Sequence, residues 1–95
     1  MENTRFTAVN TNYVLDDLKN SKYFKGLFPQ IDEVETIDDF LIIILGISED
    51  KVLTMLPLEL GMIVNPLMDS MIKNSPVGLN APIRSMKNLL LTVLK

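Results

Sequence analysis

The sequence predicts an all-α fold, a small single domain over residues 1–95 built as a bundle of four to five short helices. The chain has 95 residues, and chains usually divide into domains only beyond roughly 250 residues. Helix-start signals recur along it, since a Ser or Thr is twice followed closely by acids. Apolar residues recur at three- and four-residue spacing between Gly and Pro punctuation, which favours short helices.

The first predicted helix covers residues 12–24. Its apolar residues lie loosely at helical spacing: Tyr13, Val14, Leu18 and Phe24. Three polar residues are available as its N-cap: Asn10, Thr11 and Asn12. Gly26 and Pro29 end this helix, and the stretch PQIDEVE over 29–35 is predicted to be a loop or a short turn.

The second predicted helix begins near Thr36, with Asp39 at the third helical position in a variant of the capping box, and ends at Gly46. It contains six consecutive large apolar residues, from Phe40 to Leu45. At 100° per residue these cover the whole circumference, so we expect a helix that is buried on every side at the centre of the core. The β-propensity of three successive isoleucines keeps a buried strand as the alternative.

Ser48 is the predicted N-cap of the next short helix, since two acids follow it in the first turn. Pro57 suits the first turn of a further helix, where a missing N–H costs nothing. The apolar residues of that helix keep near-helical spacing: Leu58, Met62, Ile63, Leu67, Met71 and Ile72. Pro66 interrupts the hydrogen-bond ladder and predicts a kink or a break at Asn65.

The last predicted helix, over 83–95, follows a loop over 75–82 that holds two prolines, a glycine and an asparagine. Its apolar residues form one stripe: Ile83, Met86, Leu89, Leu90, Val93 and Leu94. This stripe either docks as the last element of the core or presents an apolar face to a partner chain.

Charge is distributed unevenly along the chain, whose net charge is −3. Residues 26–69 carry nine acids against the single base Lys51, and residues 70–95 carry four bases and no acid. Solvated helix faces and acids at helix N-termini explain this distribution in ordinary terms. The alternative is head-to-tail attraction between the acidic middle and the basic end in a homo-oligomer.

Several kinds of function are disfavoured by composition. The longest apolar run is six residues, far below the roughly 20 that a membrane span needs. The N-terminal stretch MENTRFTAVN lacks a basic leader and an apolar core, so we expect no secretory signal and a cytoplasmic location. The chain contains neither histidine nor cysteine, which removes the commonest general base and the commonest metal ligands. We therefore expect no enzyme, no metal site and no cofactor.

Nucleic-acid binding has weak support in the sequence. Residues 48–71 have the rhythm of a helix-turn-helix, but the segment that would enter the groove carries two acids and no base. A small regulatory module associated with nucleic acid remains the alternative function. It would require one basic face formed by the following residues: Lys19, Lys22, Lys25, Arg84 and Lys87.

Association with another protein chain is the function that the composition favours. Hydrophobic residues make up 47% of the chain, which is high for a domain of this size. Five methionines follow the initiator, and flexible thioethers suit irregular cores as well as adaptable binding surfaces. Amphipathic spacing gives five candidate partner-binding residues, which would equally suit a core: Met62, Leu67, Met71, Leu90 and Leu94.

Phe40 to Met71 resembles the small helical tail assembly chaperones of long-tailed bacteriophages. The matching positions are Phe40, Leu41, Gly46, Ser48 to Asp50, Val52, Leu56 to Glu59 and Val64. The resemblance implies a non-catalytic protein of the host cytoplasm that coats the long helical tape-measure protein and keeps it soluble until tail tube subunits replace it. It also implies exposed apolar grooves and weak self-association.

Overall fold

The computed structural model describes Phe6 and residues 11–95, of which Thr11 and Asn12 by their backbone alone, and its all-α architecture confirms the predicted fold class. Six α-helices lie within these residues: α1 (Thr11–Lys19), α2 (Lys22–Leu27), α3 (Ile37–Asp39), α4 (Glu49–Thr54), α5 (Pro57–Lys73) and α6 (Ala81–Val93). A π-helical turn, Phe40–Ile44, extends α3, and 3-10 turns occupy Pro29–Glu33 and Val77–Leu79.

The first predicted helix is divided in two, so the expectation of one helix over 12–24 is wrong. The side chain of Ser21 accepts a hydrogen bond from the backbone N–H of Phe24 at 3.2 Å. This bond caps α2, so that α2 begins as a helix separate from α1. The structure begins α1 at Thr11, and the N-cap candidate Asn10 lies outside the described residues.

The predicted capping box at Thr36 is confirmed. The hydroxyl of Thr36 accepts from the backbone N–H of Asp39 at 3.1 Å, and the carboxylate of Asp39 accepts from the backbone N–H of Thr36 at 3.3 Å. The turn before it is also present, but Ile31 and Val34 are fully buried there. The segment over 29–35 therefore anchors in the core through two apolar residues and keeps its acids in water.

The apolar run that follows is buried on one side only, so the expectation of complete burial is wrong. Phe40, Leu41 and Ile44 are in the core, whereas 37% of Ile43 is exposed. The helix ends where Gly46, at φ 72°, reverses the chain. The helix is widened here, because the N–H of Leu45 bonds to the carbonyl of Phe40 five residues earlier, at 3.2 Å.

Helix α5 is continuous through Pro66, so of the kink or break expected at Asn65 the break is wrong. Pro66 cannot donate to the carbonyl of Met62, four residues earlier. Both residues lie on the exposed side of α5, where water can satisfy that carbonyl. The proline is therefore tolerated without ending the helix.

Helices α5 and α6 pack against each other, and α1 also packs against α6. Gly61, buried on α5, lies close to the end of α6, since a Cβ built there would be 3.4 Å from the carbonyl oxygen of Leu94. Four residues of the predicted α6 stripe are buried: Ile83, Met86, Leu90 and Leu94. Of the two alternatives for the last helix, the structure has the docked one.

The N-terminal part of the chain is tied to α3 through Phe6. The Phe6 side chain is buried, and its backbone N–H donates to the carboxylate of Asp38 at 2.7 Å. Asp38 is only 1% exposed, so this hydrogen bond is formed away from water. This hydrogen bond joins residues that are 32 positions apart in the sequence, and it holds Phe6 against the core at α3.

Candidate functional site

The five residues proposed to bind a partner do not form one surface. Leu90 and Leu94 belong to the core, with exposed fractions of 0% and 3%, and cannot reach a partner in this conformation. Met62 is 76% exposed and Leu67 is 37% exposed, while Met71 is partly buried. Nine residues separate Met62 from Met71, which places them on opposite sides of α5 at 100° per residue.

The most exposed apolar residues at the start of α5 are Leu56, Leu58 and Met62, which we call the α5 surface. Their exposed fractions are 64%, 68% and 76%. Pro57 occupies the first turn and fixes where the helix begins. Leu58 and Met62, four residues apart, therefore lie above one another on a single face.

The core side of α5 is already filled by other residues. Leu60, Val64 and Met68 recur every four positions and are fully buried. The α5 surface is thus a second apolar stripe, which the described residues of the chain leave mostly exposed. Three apolar side chains exposed to this degree present roughly 300 Å², which is about the size of the largest apolar patch on a typical monomer.

A small groove lies between α2 and the C-terminal end of α5, and Met71 contributes to it. Its apolar wall consists of Phe24, Leu27, Phe28, Met71 and Ile83. The volume is about 200 Å³, below the usual 300 to 1,000 Å³ of small-molecule sites. The groove has room for one apolar side chain of a partner.

A larger and more open groove, about 660 Å³, lies where α1 meets α2 and the 3-10 turn before α6. We call it the α1–α2 groove. Tyr23, Leu79 and Pro82 give it apolar surface, and Lys22 and Asp17 give it charge. The hydroxyl of Tyr23 donates to the backbone carbonyl of Asn74 at 3.5 Å, which places this groove beside the C-terminal end of α5.

The basic residues required for a nucleic-acid face are largely engaged with polar partners. Lys25 pairs with Asp32 at 3.2 Å, and Lys87 pairs with Asp69. The guanidinium Nε of Arg84 donates to the side-chain oxygen of Asn80 at 3.2 Å. Of the five basic residues, only Lys19 and Lys22 lack a polar side-chain partner among the described residues, and two lysines are a small electrostatic footprint for nucleic acid.

No grouping of three or more acidic, histidine or cysteine side chains that could hold a metal ion occurs within the part of the chain that the structure describes. Over the same residues, none of the helices combines the length and the apolar character needed to cross a bilayer.

Sequence reasoning did not select Leu56 and Leu58 as binding residues. The sequence does contain the signal, because two sets of apolar residues on α5 are each spaced four residues apart. Leu58 and Met62 form one stripe, and Leu60, Val64 and Met68 form the other. Only the packing of neighbouring helices decides which stripe is covered.

Comparison with known proteins does not assign a family. No protein-family model matches the chain, and it has no significant similarity to a curated protein or to a solved structure.

Proposed function

We propose that this chain is a non-catalytic protein that binds an apolar helical segment of a partner chain through the α5 surface. The observation that carries the proposal is the exposure of Leu58 and Met62 on a helix whose core side is already filled. The largest exposed apolar patch of a monomer often has a function in binding.

A helical partner suits the α5 surface best. Side chains four residues apart on one helix form the ridges that pack into the grooves of another. Met62 adds adaptability, because its flexible thioether can repack against different apolar side chains. Glu59 is exposed on the same helix, so a partner with basic residues flanking its apolar stripe fits better than an acidic one.

The expected affinity is modest. Full burial of a Leu or Met side chain contributes about 1.5 to 3 kcal/mol, and association costs at least about 4 kcal/mol in lost freedom of motion. Three residues that are already partly covered therefore leave a small surplus. Binding should be weak and reversible, as befits a protein that holds a partner for a time and then releases it.

The specific role that we propose is that of a tail assembly chaperone, with a tape-measure-like helical chain as the partner. The proposal is supported by the resemblance over Phe40 to Met71, whose Leu56 to Glu59 step is the place where the exposed leucines lie. Other positions of the resemblance have structural roles here, since Gly46 ends a helix and Ser48 caps one.

The test is the binding of a labelled amphipathic peptide of about 20 residues, with a leucine stripe and basic flanks, measured by fluorescence anisotropy. Met62→Gln keeps the length and helix propensity of the side chain but removes its apolar character. Tyr13→Gln is the matched control, because Tyr13 on α1 is 74% exposed.

We expect Met62→Gln to weaken peptide binding about tenfold, equivalent to 1.4 kcal/mol, and Tyr13→Gln to leave it unchanged. Equal weakening by both variants, or no peptide binding by the folded wild-type chain, would contradict the proposal.

A further inference from the structure

The α5 surface and the α1–α2 groove lie at opposite ends of the molecule. The α5 surface is at the first turns of α5, and the groove adjoins Asn74, immediately after its last residue. A helix of 17 residues is about 25 Å long, and the longest dimension of the molecule is 35 Å. Contact between these two surfaces within one copy is therefore impossible.

The two ends carry opposite charge. Around the α5 surface, on α4 and the first turn of α5, three acids face one base: Glu49, Asp50 and Glu59 against Lys51. Lys22 and Asp17 line the α1–α2 groove. The residues close in sequence to the groove and to Asn74 add three bases and one acid: Lys19, Lys73 and Arg84 against Asp16. Complementary potentials of this kind attract and orient partner surfaces.

We propose that the α5 surface of one copy docks into the α1–α2 groove of a second copy. Leu58 and Met62 would lie against Tyr23, Leu79 and Pro82, with Glu59 near Lys22. The groove is open and about 660 Å³, which is room for both side chains. Because the two surfaces differ, the contact is heterologous, and each added copy leaves one free surface at each end of a growing chain.

This inference rests on the proposed function in one respect, since both use the α5 surface. It adds a form of regulation, because a second copy and a helical partner compete for the same residues. Self-association covers the apolar side chains until the partner displaces them.

The test is the mass in solution by light scattering over a protein concentration series, at low and high salt. We expect the wild-type mass to rise past that of a dimer with concentration and to fall when salt screens the charges. A wild-type mass of one chain at every concentration would overturn the inference. If the peptide still bound through Met62 in that case, the proposed function would stand alone.

Two variants distinguish this arrangement from other forms of association. The α5-surface variant carries Leu58→Gln and Met62→Gln, and the groove variant carries Lys22→Glu and Leu79→Gln. All four residues are exposed, so both variants should retain the fold. Each variant alone should associate at least tenfold more weakly than the wild type. An equimolar mixture should regain one contact and reach a plateau at the mass of two chains.

A mixture that stays monomeric would overturn the inference. Dimerisation of the groove variant alone at wild-type concentrations would do the same, because it would mean that α5 surfaces pair with each other.

Discussion

Replacement of Gly61 tests whether the end of α6 is packed against α5. A Cβ at Gly61 would lie 3.4 Å from the carbonyl oxygen and 3.7 Å from the Cβ of Leu94. These are contact distances, so a methyl group fits without a clash. A side chain with further carbons has no such room and must displace the end of the chain.

Alanine and leucine at position 61 should therefore change the free energy of unfolding in opposite directions. Gly61→Ala gains about 0.5 to 1 kcal/mol, because glycine in a helix interior is that much less favourable than alanine. Gly61→Leu has a similar gain in propensity, but overpacking a core position costs about 1 to 3 kcal/mol. Subtracting that gain leaves a net loss centred on about 1 kcal/mol and no larger than about 2.5 kcal/mol, and each 1 kcal/mol shifts the Tm of a domain of this size by about 4 to 8 °C.

Urea denaturation followed by circular dichroism gives both free energies of unfolding. Gly26 is the matched control, because it lies in α2 and nothing comes within 4 Å of a Cβ built there. Gly26→Ala and Gly26→Leu should have nearly equal stability, whereas the Gly61 pair should differ by about 1 to 3 kcal/mol. Equal stability of Gly61→Ala and Gly61→Leu would refute the packing of α6 at this point and return Leu90 and Leu94 to the candidates for partner binding.

Two further predictions concern the core and use the same denaturation measurement. Asp38→Ala should lower the free energy of unfolding by about 1 to 3 kcal/mol, because it leaves the N–H of Phe6 buried without this acceptor; Asp38→Asn keeps an acceptor oxygen and should lose less, and the reverse order would contradict this role. Leu90→Ala should cost about 2 to 5 kcal/mol, whereas Met62→Ala should stay within about 0.5 kcal/mol. A large loss at Met62 would mean that the α5 surface stabilises the fold.

The helix starts of this chain were predictable because capping is local. Thr36 and Asp39 satisfy each other's backbone N–H groups within four residues, and Ser48 caps α4 through the N–H of Lys51 at 3.2 Å. Such bonds depend on short-range sequence alone. The split at Ser21 follows the same chemistry, but the apolar spacing of residues 13–24 concealed it.

Burial was less predictable, because it depends on which elements come together. The run over Phe40 to Leu45 was expected to be covered on all sides, yet Ile43 is more than one-third exposed. The expectation assumed 100° per residue, which a π-helical turn does not keep. Pro66 likewise was expected to kink or break α5, and only the exposure of that side of the helix shows why it does not end the helix.

The difference between α5 and α6 follows from the number of their apolar stripes. The stripe that α6 presents through Ile83, Met86 and Leu90 is covered completely, because α1 and α5 both pack against that helix. Helix α5 carries two apolar stripes. The stripe through Leu60, Val64 and Met68 is buried where α5 packs against α6 and the core. A chain of 95 residues hides only about two-thirds of its surface on folding, so the second stripe, through Leu58 and Met62, stays exposed. Among the described helices, α5 therefore carries the most exposed large apolar residues and α6 carries none, and association with another chain should depend on α5 rather than on α6.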